Sequence, residues 1–249
     1  MALKWPRLAQ LCPSCAHAPL TKVNSMTTER LIRVAGITGG RAMTSASVAS
    51  HRIVAPYITA WSGEPNEPVE VVGRAGGIGY RDEVMADRDR FGVLWSRTPW
   101  RPGEGRPEFG QVHPLRQRRT MLRLLCQVCA GPADLTDDGV LWLLKDHRDD
   151  WPGWPDRMGV TEPPICLSCV HESVTRCPAL RKGAAVVRAR HYPVAGVRGV
   201  LYRGSVRLVA AGEATVAYDD PAIRWVRAMN LVRQLSGCTI IPITDLAEE

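Results

Sequence analysis

The sequence predicts an α+β protein built from small units, on three observations. Its 249 residues are 45% hydrophobic and 23% charged, enough apolar surface for a real core and a length that fits one large or two small domains. Six of its eight cysteines fall in three C-x-x-C pairs, Cys12/Cys15, Cys126/Cys129 and Cys166/Cys169, with Cys177 and Cys238 left over. Beyond Gly183, short strand-like runs are separated by turn residues and one helical stretch. The expected organisation is an N-terminal region (1–120) holding the first pair, a unit at 121–182 holding the other two, and an Arg-rich α+β unit at 183–249.

The elements follow in chain order. Thr27 and Thr28 cap a short helix that ends near Gly36. Residues 69–72 and 78–80 flank a glycine cluster at 73–77 and read as a hairpin. No Gly-Lys-Ser/Thr follows that cluster, so it is not a phosphate loop. Residues 97–114 hold four Pro and three Gly and read as a loop. Residues 116–125 suit a helix, and 139–144 (Gly-Val-Leu-Trp-Leu-Leu) a buried strand. The Trp151-Pro-Gly-Trp154-Pro stretch marks a loop whose indoles cover the hairpin. Pro163 and Pro164 break the chain before a helix running from Cys166 to about Leu180. Strands are expected at 184–190, 200–202, 206–209 and 214–218. Asp220-Pro221 then caps a helix ending at Gly237, and Cys238 opens a closing strand that Pro242 keeps near an edge.

The cysteine spacing carries chemistry. A two-residue spacer lets two thiolates face one cation from a tight turn, and Zn²⁺ takes four such ligands in a tetrahedron. A reducing cytoplasm disfavours stable disulfides. One C-x-x-C alone is shared with redox motifs; two in one segment point to a structural metal site, with Cys126, Cys129, Cys166 and Cys169 as ligands. The second pair sits at a helix N-terminus, where the dipole favours thiolates. A short echo links the halves: Cys12-Pro-Ser-Cys15 answers Cys126-Gln-Val-Cys129, and Gly92-Val-Leu-Trp95 answers Gly139-Val-Leu-Trp142. It suggests a duplicated, degenerate zinc unit, so one or two zinc ions are expected. Cys12 and Cys15 would borrow ligands from Cys177, His171, His17, His113 or Cys238, with Cys177 and His171 preferred.

Knuckle, hairpin and helix in this order resemble a treble-clef zinc finger over residues 126–178. The same stretch resembles zinc-finger-containing proteins of actinobacteria, a likeness that implies a metal-stapled fold and supplies no activity. Asp146-His147, between the two pairs, resembles the position at which zinc-stapled HNH nucleases place an Asp-His whose imidazole activates water. The match is incomplete: no Asn lies between His147 and Cys166, and His171 falls one step late. A catalytic ion there would draw on Asp146, His147, Asp149, Asp150 or Glu162; a solvated loop balanced by Arg148 is the plainer reading. No Gly-x-Ser-x-Gly, His-Glu-x-x-His or dinucleotide fingerprint occurs.

The formal net charge is +7, and 28 of the 32 basic residues are Arg, which also fits a GC-rich genome. From Ser173 to Gly212 there is no acid and there are eight bases, and a second basic run is Arg116, Arg118, Arg119 and Arg123. Such asymmetry favours a polyanion, nucleic acid first, with Arg181, Lys182, Arg188 and Arg190 as contacts. A protein-interaction adaptor with exposed Trp pairs (Trp95/Trp100, Trp151/Trp154) is the alternative, and a metal-dependent nuclease a more distant one. No window reaches the roughly 18 apolar residues of a membrane span, and the N-terminus lacks a signal peptide's apolar run; a cytoplasmic protein without a membrane partner is expected.

Overall fold

The computed structural model describes residues 55–66, 68–204 and 207–246. The expected helix after Thr27/Thr28, and Cys12, Cys15 and His17, lie outside them. The fold is mixed α+β. Two small ribbons come first: β1 (Thr59–Trp61) pairs antiparallel with β5 (Pro107–Val112), and β2 (Val71–Arg74) with β3 (Gly77–Tyr80). The β2–β3 hairpin is the one its glycines predict. The second half of the expected loop at 97–114 is instead β5, because β1 supplies a partner that the local Pro and Gly content does not reveal.

A five-stranded sheet has the order β11 (Val209–Ala217), β10 (Val194–Arg203), β12 (Val226–Gln234), β4 (Leu94–Trp95), with β8 (Gly159–Val160) also pairing β12. A four-stranded sheet has the order β13 (Ser236–Ile241), β9 (Ala184–His191), β7 (Gly139–Lys145), β6 (Leu135–Thr136). Because β7 pairs with β9, this sheet spans the boundary expected at 182/183.

The C-terminal stretch corrects one expectation. Asp220 does cap a turn, its carboxylate accepting from the Ala222 N–H at 2.8 Å, but the turn is a 3₁₀ helix that stops at Trp225. The expected helix is then strand β12. Its apolar residues fit either period on paper; β4, β8 and β10 all offer backbone partners, and that pairing overrides helix propensity. Among the described residues the region after Gly183 is strands and 3₁₀ turns.

Strand β7 organises the interior. Alternate side chains point to opposite faces, so Val140, Trp142 and Leu144 enter one cluster with Trp154, Met158, Val187 and Leu235. Leu141 and Leu143 enter another with Cys126, Ile165, Cys169, Val170 and Val186. Each such buried side chain is worth about 1.5–3 kcal/mol relative to exposure. Gly139 opens the strand at φ 116°, where an added Cβ would run into the Ala189 carbonyl oxygen. Trp154 is buried and Trp151 packs beside it, as the hairpin-covering reading expects.

Helix α1 (Pro114–Arg123) is capped by His113 and entered through Pro114. Its buried face is polar: Arg116, Gln117 and Thr120 are 0% exposed. Gln117 donates to the Thr161 and Leu231 carbonyls and accepts from the Leu231 N–H, linking β12 to the chain beside it. Arg233 of β12 donates to the Met121 carbonyl near the helix C-terminus and to that of Tyr192. Helix α2 (Leu167–Arg176) is the shorter form of the helix expected from Cys166. No helix among the described residues is long and apolar enough to cross a membrane.

Candidate metal centre

The first pair lies in a tight turn that α1 delivers. Leu124 ends the helix in the left-handed region (φ 52°), and Leu125 then bridges Pro132. Inside that bridge the Cys126 N–H donates to the Gly131 carbonyl (2.7 Å), and the Ala130 N–H to the Cys126 carbonyl (2.9 Å). The Val128 N–H points at Cys126 Sγ (3.4 Å), as a knuckle requires. Ile165 carries the second pair to the same place. Its N–H donates to the Leu141 carbonyl and its carbonyl accepts from Asp134, so the chain before Cys166 is laced to the hairpin strands (both 3.0 Å). Cys166 is the N-cap of α2, and Cys169 lies in its first turn.

The result is four sulfurs that all lie within 4.8 Å of one another, from Cys126, Cys129, Cys166 and Cys169. All four are free thiols. Cys129 Sγ and Cys166 Sγ are 3.7 Å apart. A tetrahedron with metal–sulfur bonds of about 2.3 Å has edges of about 3.8 Å, whereas a disulfide needs about 2.05 Å. The cluster can therefore hold one metal ion, with four soft donors filling a tetrahedral shell.

Protons in the cluster are unevenly held. Burial pushes the Cys126 thiol up to about 11 and raises Cys169 as well. Burial also opposes ionisation of Cys166, but the Ser168 hydroxyl and the Cys169 N–H outweigh it and bring that thiol down to about 7. Four thiolates this close repel one another; a divalent cation supplies the charge that lets all of them ionise.

The residues expected around a second ion are not assembled with these four. Cys177 ends α2 and is half-buried, and His171 lies on the same helix. His113 caps α1 and contacts the Pro99 carbonyl. Cys238 lies on β13, its thiol pushed up to about 12 by burial beside Asp156. Among the described residues the four thiols are the one close group of potential ligands. The echo also falls on unlike settings: Leu94–Trp95 pairs parallel to β12, whereas β7 lies between two antiparallel neighbours.

Asp146 and His147 lie in the turn after β7 and are occupied locally. Asp146 accepts from Arg148, which holds its carboxyl below the usual range, and His147 Nδ1 is 2.7 Å from Asp150. They join no ligand cluster among the described residues.

The arginines divide in a way the sequence does not reveal. Arg188 is buried, donating to Asp134 (2.5 Å) and to the Gly139 carbonyl, and Arg190 pairs with Asp138 (3.2 Å). They share a strand face as expected, but that face points at acids of the hairpin. Arg181 is exposed and donates to the Thr175 carbonyl; Lys182 follows it in a 3₁₀ turn. In the second basic run, Arg116 is fully buried against Glu64 and Arg118 is half-buried with its guanidinium over the Trp95 ring (4.3 Å), while Arg119 and Arg123 are exposed; these last three make no ion pair among the described residues. Of the expected Trp pairs, Trp95 (2%) and Trp154 (6%) are buried, and Trp100 is 47% exposed.

Comparison with family models, curated proteins and solved structures finds no match.

Proposed function

We propose that the chain is a zinc-stapled nucleic-acid-binding protein, with the four thiolates holding one structural Zn²⁺ in a treble-clef arrangement. The observation that carries the metal reading is the cluster itself: four cysteines from two distant segments, with sulfurs within 4.8 Å of one another. An all-cysteine shell suits zinc and leaves no open position for substrate, so the ion's part is structural. Knuckle, hairpin and a helix that opens on the second pair support the treble-clef reading. Cys126, Cys129, Cys166 and Cys169 would bind the ion, and their convergence would fasten α2 to the β6–β7 hairpin.

The nucleic-acid reading rests on α1. From Phe109 to Ala133 there is no Asp or Glu, and Arg119 and Arg123 stand on the outward side with exposed Leu122. The turn that follows is the metal knuckle, so the ion would anchor this basic face. Such a face attracts phosphate backbones and releases their counterions. The contacts thus move from Arg188 and Arg190, which neutralise hairpin acids, to α1. The adaptor alternative loses support because two of its four Trp are buried.

The test has two parts. Elemental analysis of purified protein is expected to give one zinc per chain; a preparation without metal rejects the centre. Fluorescence anisotropy with labelled DNA and RNA is expected to show affinity that falls steeply with salt. In Arg119→Ala/Arg123→Ala the slope of log K against log[salt] is expected to shrink by about 1–2. Binding that ignores both salt and the double change rejects the nucleic-acid reading and leaves the metal centre standing.

A further inference from the structure

Four sulfurs share the centre, but two face the interior and two face out. Cys126 (0% exposed) and Cys169 (6%) are packed among Leu141, Ile165 and Val170. Cys129 is exposed and Cys166 half-buried, and these two come from different C-x-x-C pairs. Their sulfurs are 3.7 Å apart. Gly131 adjoins the outer one: a Cβ there would sit 3.4 Å from Cys129 Sγ, so glycine leaves that sulfur uncovered.

We infer that the centre is peroxide-sensitive, and that oxidation joins Cys129 to Cys166 and expels the ion. The inference rests on the zinc reading above. Hydrogen peroxide, or an alkyl hydroperoxide, reaches the outer sulfur first. The Cys129 thiolate attacks one peroxide oxygen (the terminal one of an alkyl hydroperoxide); an S–O bond forms, the O–O bond breaks, and hydroxide, or the alkoxide, leaves. The Cys166 thiolate then attacks the sulfenic sulfur; the S–S bond forms, the S–O bond breaks, and a second hydroxide leaves. Each leaving anion takes up one proton from the buffer, giving water, or an alcohol where an alkoxide left. Two electrons pass from the sulfur pair to one peroxide. The ion keeps only the two inner ligands, too few for a closed tetrahedral shell, and departs.

Geometry makes the pairing specific. Redox C-x-x-C motifs close within themselves, and here either such closure would join an outer sulfur to a buried one. The cross-pair bond joins the two sulfurs that solvent reaches. It would also bridge the knuckle to the start of α2, so the oxidised chain would stay tethered at the vacated site.

The experiment treats full-length, zinc-loaded protein with graded hydrogen peroxide. Released zinc is followed with a chromogenic chelator, remaining thiols are alkylated, and disulfides are mapped by peptide mass spectrometry. One zinc is expected per disulfide formed, with the bond at Cys129–Cys166 and alkylation at Cys126 and Cys169. Dithiothreitol with added Zn²⁺ is expected to restore the original metal content. A bond within Cys126/Cys129 or Cys166/Cys169, or zinc retained while Cys129 is oxidised, overturns the inference and leaves the zinc reading intact. Protein that carries no zinc before peroxide is added overturns both.

Discussion

Helix α1 connects two centres that solve the same problem differently. At its start, Arg116 is buried in a polar cluster: its guanidinium makes two 2.6 Å bonds to the two carboxylate oxygens of Glu64 and a third to the Thr59 carbonyl. Both partners have fully buried side chains. Just past its end, the four thiols gather with no positive side chain among them. The first centre brings its own counter-charge from 52 residues away in the chain. The second, on the zinc reading proposed above, would take its cation from solution. On that reading the first is sensitive to sequence and pH, the second to metal supply.

The largest expected effect comes from removing metal. Structural zinc sites in small fingers carry about 10–16 kcal/mol of apparent binding free energy, and that energy is folding energy. With a strong chelator, amides in 125–145 and 165–180 are expected to lose hydrogen-exchange protection and become protease-sensitive, while those of β1 and β5 keep theirs. Equal loss in both regions would show that the two centres unfold together.

Next is the ion pair. Arg116→Ala leaves the Glu64 carboxylate buried without its partner and is expected to cost about 3–5 kcal/mol by urea denaturation. Removing both charges, as in Arg116→Met/Glu64→Gln, is expected to recover much of that loss. A double change as damaging as the single one would place the effect in packing. Zinc content should stay unchanged in both variants if the centres are separable.

The smallest effect is that of acid. Burial opposes ionisation of Glu64, but the hydrogen bonds from Arg116 and from the Arg101 and Trp61 N–H groups hold its pKa down from 4.5 to about 2. A depressed acid stabilises fully above its unfolded value and loses that contribution as pH falls through its folded one. That lowering is worth roughly 3 kcal/mol, lost between about pH 4.5 and 2. Burial lowers His113 from 6.5, so the unfolded chain takes up that proton first and a decline begins below about pH 6.5. Chemical denaturation of the metal-loaded protein across pH 7 to 4 should show the first stage. In Glu64→Gln the drop between pH 4.5 and 2 should shrink.

What the sequence revealed and what it hid follow one rule: whether the partner is local. The C-x-x-C pairs, the apolar run of β7, the glycine turn at 73–77 and the first turn after Asp220 are written in neighbouring residues. Strand β12 has the sequence of a helix because its three strand partners leave no mark on its own residues. Arg188 looked like a phosphate contact because Asp134 lies 54 residues away. Glu64 is hidden for the same reason, its partner Arg116 lying 52 residues away. The four-thiol cluster was legible although Cys129 and Cys166 are 37 residues apart, because cysteine in pairs announces its chemistry wherever the second pair falls.

Strand β7 has a consequence for how this chain tolerates change. It is a party wall: odd- and even-numbered side chains furnish separate rooms, with Trp142 in one and Leu141, beside the thiols, in the other. Exchanging one aliphatic for another alters a room slightly. Deleting a single residue between Val140 and Leu144 would send every occupant through the wall, putting the indole where the sulfurs converge. This strand forgives errors of size and punishes errors of phase.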